Sequence, residues 1–114
     1  MYNEGTIIAL SSPPGSGAIG IIRLSGDDAI SKTDLFFKSK SGKKLSESSG
    51  YSISYGDLIE KDEVIDEVVV SIYKSPHSYT GENVIEISCH GSNYIQQRIL
   101  TLFTDAGVRL ASPG

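Results

Sequence analysis

Cysteine is nearly absent: Cys89 is the only one in 114 residues, so no internal disulfide can form, which fits a reducing compartment. Tryptophan is missing altogether. No apolar run approaches the roughly 20 residues that cross a bilayer. Met1 to Gly5 carries Glu4 where a leader would be basic and apolar, so the sequence reads as soluble, untargeted and free of a membrane partner. There is no basic excess either. Ten Lys and Arg face fourteen Asp and Glu, a formal charge of −4, and a domain that neutralises many phosphates normally shows the opposite balance. RNA is therefore not expected as a direct partner. The phosphate-binding pattern G-x-x-x-x-G-K-[ST] does not occur, which excludes nucleotide hydrolysis through a P-loop in this segment. The length leaves room for one domain, residues 1–114, with one core.

What is present is a succession of short periodic segments. Thr6 to Leu10 and Ala18 to Leu24 are apolar, β-branched runs on either side of SSPPGSG, and predict two strands. Ser25 and Asp28 fit a capping box, with Ser25 as the N-cap, which predicts a first helix from Gly26 to Phe37. Lys38 to Gly50 is Lys, Ser and Gly with Leu45 as its one large aliphatic residue, and reads as a mobile surface loop. Four of the ten basic residues lie there, while Asp57 to Glu67 holds six of the acids. Tyr51, Ile53 and Tyr55 alternate with serines, and Glu67 to Tyr73 follows an acidic turn, a hairpin pattern. Val84 to His90 predicts another strand. Ile95, Ile99, Leu102, Phe103 and Ala106 then mark one helical face between Ser92 as N-cap and Gly107 as stop. A short strand is expected at Val108 to Leu110. The order ββαβββα, followed by that short terminal strand, implies an α+β fold: a mixed or antiparallel sheet with two helices on one face. The other face is left to be covered by something else.

Gly15-Ser-Gly17-Ala-Ile-Gly20 matches G-x-G-x-x-G, yet a strand follows where a dinucleotide site needs a helix, so a glycine-rich turn is the reading. Two charged residues stand out on strands. Parity puts Arg23 on one face with Ile19 and Ile21, where a guanidinium must snorkel, pair with a carboxylate or meet a ligand. Glu86 shares its face with Val84, Ser88 and His90, a solvated strand face or a site. Cys89 and His90 are neighbours pointing to opposite faces, so they cannot grip one metal ion without a bulge, and His77 supplies no ligand pair at zinc spacing. No catalytic trio is singled out, and no metal site is expected. The turn from Cys89-His90 through Gly91 into the second helix is a tight connection or an anion site.

Three blocks, Thr6 to Gly26 (TIIALSSPPGSGAIGIIRLSG), Ser78 to Gly91 (SYTGENVIEISCHG) and Ala106 to Gly114 (AGVRLASPG), together resemble the N-terminal domain of the MnmE, or TrmE, family of tRNA modification GTPases. The resemblance covers nearly the whole chain and is weakest between Lys38 and Glu63. Ser92 departs from the glycine the family usually repeats after C-H-G.

The resemblance implies a folate-binding, dimerising domain cut from a longer protein whose helical and GTPase domains are not in this chain. It implies half of an aminomethyltransferase-like folate-binding fold, completed by a second copy, that binds 5-formyltetrahydrofolate near the dimer contact. Arg23 and Glu86 match family folate-site positions: Glu86 suits the adjacent N–H donors of a pterin edge, and Arg23 an anionic or carbonyl oxygen of the ligand. Tyr79 offers a ring for stacking or for mere packing. GTP, with magnesium and potassium ions, belongs to the full-length protein only, and the fragment alone is expected to be catalytically inactive. The implied partners are the flavoprotein MnmG and, through the full-length complex, the tRNA whose wobble uridine receives an aminomethyl-type group at C5, in the cytoplasm. An interaction module with no functional folate pocket is the alternative. Direct tRNA binding is a third class, weighed down by the −4 charge.

Overall fold

A computed structural model describes residues 5–13, 15, 17–74 and 81–111. The strands are β1 (Ile7–Leu10), β2 (Ile19–Ser25), β3 (Phe37–Ser39), β4 (Tyr51–Glu60), β5 (Glu63–Tyr73), β6 (Val84–His90) and β7 (Arg109–Leu110). Helix α1 spans Ala29–Asp34 and α2 spans Asn93–Asp105, with a 3-10 turn at Leu45–Glu47. All seven described strands join one sheet in the order β3-β4-β5-β6-β2-β1-β7. Every pairing is antiparallel except β1 with β7, so the sheet is mixed.

Strand parity decides the core. Ile22 and Leu24 on β2, Ile85, Ile87 and Cys89 on β6, and Val68, Val70 and Ile72 on β5 share one face and are buried. Helix α2 lays Ile99, Leu102 and Phe103 on that face, and α1 adds Ala29 and Ile30. The rings of Phe36 and Phe103 meet edge to face at 5.4 Å. Ser92 caps α2, its Oγ accepting from the Ile95 N–H at 3.1 Å. Beyond its last turn, Gly107 takes the left-handed conformation that stops it. The β4–β5 turn uses Lys61 and Asp62, both at positive φ, the conformation a tight hairpin requires.

Two expectations give way to the packing. The first helix neither starts at Ser25 nor reaches Phe37. Ser25 stays in β2 because it is laddered on both sides, to Ile7 and to Val84. The helix begins at Ala29, and Thr6, just before β1, rather than a local box, accepts the Asp28 N–H at 2.9 Å. Phe37 belongs to β3, paired with Leu58, an additional strand that changes the element order. Nor is Lys38 to Gly50 a free loop. Leu45 is fully buried, and the Asp34 carboxylate accepts the N–H groups of Leu45 and Ser46 at 2.8 and 3.1 Å. From the other side Lys74 Nζ donates to the carbonyls of Ser46 and Ser48. No described helix is long and apolar enough to cross a membrane.

Candidate functional site

The face of the sheet away from the helices is uncovered, and cross-strand register sets its residues in rows. One row runs Ala9, Arg23, Glu86, Ser71, Ile53 across β1, β2, β6, β5 and β4. The next runs Ile21, Ser88, Val69, Tyr55. Arg23 and Glu86 are thus direct cross-strand neighbours, a pairing set by the β2–β6 register. Arg23 Nε lies 3.8 Å from Glu86 Oε2, and the two side chains are 35 % and 31 % exposed. At that separation they attract each other without consuming each other's hydrogen-bonding capacity. Both remain able to turn to a third group.

The surroundings of the pair are mixed. Ser71, in register with Glu86, lines a shallow hollow of 310 Å³ with Tyr51, Ile53 and Tyr73. The rings of Tyr51 and Tyr73 lie 5.2 Å apart. Tyr51 and Ile53 are 76 % and 73 % exposed, unusual for an aromatic and an isoleucine side by side. A second hollow, 220 Å³, lies further along β6 and is lined by Ile19, Tyr55, Val69, Ser88 and His90.

Beyond it lie polar links that the sequence pattern did not reveal. The Tyr55 hydroxyl donates to Glu67 Oε1 at 3.0 Å, and Lys40 Nζ lies 3.4 Å from Glu67 Oε2 and 3.6 Å from Asp57. The Tyr55 hydroxyl and the Lys40 ammonium hold the Glu67 carboxyl below the usual carboxylate range, and Glu67 in turn raises Lys40 and Tyr55. Asp66 accepts from both the main-chain N–H of His90 at 2.8 Å and its Nδ1 at 2.6 Å. The hairpin pattern places these groups on neighbouring strands, but which side chains meet depends on a register shift between Leu58 and Ile59.

The remaining candidates sort by position. Cys89 is buried against the Gly20 carbonyl at 3.5 Å, and burial pushes its thiol up to about 11, which leaves it protonated and a poor nucleophile. His90 points the other way, into solvent. The glycine-rich segment is a turn before a strand. Gly17 N–H donates to the Gly91 carbonyl and Gly91 N–H to the Ala18 carbonyl, so the turn is clamped to the start of α2. A Cβ on Gly91 would drive into the Gly17 carbonyl. The Gly91 N–H is thus taken before the helix begins, and within its first turn Ser92 caps the Ile95 N–H. His77 and Tyr79 lie outside the described residues.

Residues 6–114 match the family described as GTP-binding protein TrmE N-terminus. The chain belongs to this family. As a TrmE N-terminal domain it is 50 % identical over 113 residues, 98 % of the chain, to the tRNA modification GTPase MnmE of Bacteroides thetaiotaomicron, and covers 24 % of that protein. To the MnmE of Flavobacterium johnsoniae it is 46 % identical over its whole length, covering 24 % of that relative. To that of Clostridioides difficile it is 43 % identical over its whole length, covering 25 %. The TrmE N-terminal domain thus spans about a quarter of the length of the curated relatives it matches.

Proposed function

We propose that this domain holds a reduced folate, of which 5-formyltetrahydrofolate is the type, against Arg23 and Glu86 on the uncovered face of the sheet. The observation that carries the reading is the placement of those two groups as adjacent, partly exposed and mutually unsaturated neighbours. The donor set suits the ligand. A carboxylate accepts the paired N–H donors of a 2-amino-4-oxo pterin edge, and a guanidinium meets a carbonyl or carboxylate oxygen. Exposed apolar groups beside the pair offer a surface for rings. When bound, the folate supplies the one-carbon unit, and the protein's own residues bind and orient it.

Two copies complete the fold, in this reading, by facing their uncovered sheets, so that the pair lies near the contact between them, an arrangement like half of an aminomethyltransferase folate-binding fold. The full-length protein is then a cytoplasmic GTPase that acts with the flavoprotein MnmG on C5 of the wobble uridine of tRNA. Its nucleotide, magnesium and potassium are, in this reading, held by segments outside these 114 residues, which carry no P-loop pattern.

Titration calorimetry with 5-formyltetrahydrofolate tests the binding claim. Saturable heat is expected, with affinity falling at least tenfold in Glu86→Ala and the melting temperature nearly unchanged. A pair that is only structural would give no heat with either protein. Such a result would favour the second reading, a pure interaction module, for which the exposed Tyr51, Ile53 and Tyr55 suffice without a ligand.

A further inference from the structure

We propose that the hollow beside β3, at the edge of the sheet, is a docking site for the phosphate backbone of RNA; this rests on the proposed role in tRNA modification and adds a direct contact to it. The hollow measures 540 Å³, and Lys38, Lys43, Lys44 and Lys61 line it together with Leu35 and Phe36. All four lysines are exposed, and none has an ion-pair partner among the described residues. Lys40, on the same segment, is by contrast engaged by Asp57 and Glu67. Two carboxylates also line the hollow. They are Asp34, whose two oxygens accept backbone N–H groups, and Asp62, so that four ammonium groups outnumber two carboxylates.

The fold assembles this cluster, and chain-wide charge conceals it. Three of the lysines come from one segment, but Lys61 arrives from the β4–β5 turn, brought alongside because Ile59 N–H bonds the Phe36 carbonyl. A lysine on an edge strand also discourages pairing with foreign strands, which accounts for Lys38. It does not account for Lys43, Lys44 and Lys61, which lie outside β3 and line the same hollow. The inference departs from the expectation drawn from a net charge of −4, because a local field acts on what docks there.

RNA is the favoured occupant over an acidic polypeptide. Ammonium groups bind phosphates as point charges with little demand on geometry. A polypeptide would gain most by adding a strand, and β3 offers only three residues for that. Lys38 stands in register with Asp57, which Lys40 reaches on the uncovered face. Three interstrand spacings, about 14 Å, separate this edge from the strand of Glu86. RNA held here lies beside the face proposed to carry the one-carbon unit.

The test is fluorescence anisotropy of end-labelled tRNA with the 114-residue chain across a salt series from about 50 mM. The logarithm of affinity should fall against the logarithm of salt with a slope of about −3, as four phosphate contacts require. Replacing all four lysines by glutamine (Lys38→Gln, Lys43→Gln, Lys44→Gln, Lys61→Gln) should weaken binding at least tenfold at low salt and flatten the slope, with circular dichroism melting unchanged. Lys44→Glu alone should weaken it about threefold. Absence of binding at low salt, or undiminished binding by the glutamine variant, overturns the proposal. Displacement of tRNA by polyglutamate of equal charge, at equal concentration, overturns the choice of RNA. Titration of 5-formyltetrahydrofolate should be unaffected by the lysine substitutions, and Glu86→Ala should leave tRNA affinity intact, so either claim can fail without the other.

Discussion

Arg23 and Glu86 owe their proximity to strand register rather than to their own attraction. At 3.8 Å, with both side chains about a third exposed, such a pair contributes only about 0–1 kcal/mol to stability. Replacing either should therefore cost the fold little, which makes function the better account of why a guanidinium and a carboxylate stand among isoleucines. Cys89 is the opposite case, since its chemistry is suppressed by its position. Its thiol pKa is raised from 9.0 to about 11, so the folded state holds the proton where the unfolded chain would release it. The associated stability is complete below pH 9.0 and is lost as pH rises towards 11. Iodoacetamide should leave the native protein unmodified at neutral pH and alkylate it in denaturant; rapid native alkylation would contradict the burial described.

Among the elements, β6 and α2 were legible in the sequence because their signals are local. Alternation fixes which residues of β6 face the core, and Ser92 and Gly107 bound α2 within one residue. Residues 25–50 were not legible, and for a common reason. Ser25 has the chemistry of a helix cap but is claimed by ladder pairing with Ile7 and Val84, while the N-cap position falls to Asp28, whose N–H is taken by Thr6, far away in sequence. The lysine-rich segment looks unstructured because one buried leucine, one aspartate and one distant lysine hold it, and none of these is periodic. Leu45→Ala should destabilise the domain by about 3 kcal/mol in urea unfolding, the cost of a buried leucine and its cavity. A loss below about 1 kcal/mol would show that Leu45 does not anchor the segment. The candidate pair was half legible: parity singled out Arg23 and Glu86 separately, but only the β2–β6 register makes them neighbours.

At the scale of the molecule, two helices cover one face of a seven-stranded sheet and leave the other open. Tyr51, Ile53 and Tyr55 on that open face are the kind of exposed apolar group that a second copy would bury. Light scattering after size exclusion should give about twice the 12.2 kDa chain mass, and Ile53→Lys should shift the population towards monomer. A strict monomer at every micromolar concentration tried would argue against a site shared between two chains. The lysine-lined hollow at the β3 edge adjoins that face, since β3 pairs with β4, the strand that carries Tyr51, Ile53 and Tyr55.

The most direct test of the central claim is a crystal structure of the domain with 5-formyltetrahydrofolate bound. The account predicts the pterin's N–H edge within hydrogen-bond distance of the Glu86 carboxylate, with the Arg23 guanidinium on a ligand oxygen. A ligand ordered elsewhere, with the Arg23–Glu86 pair unchanged and untouched, would contradict it.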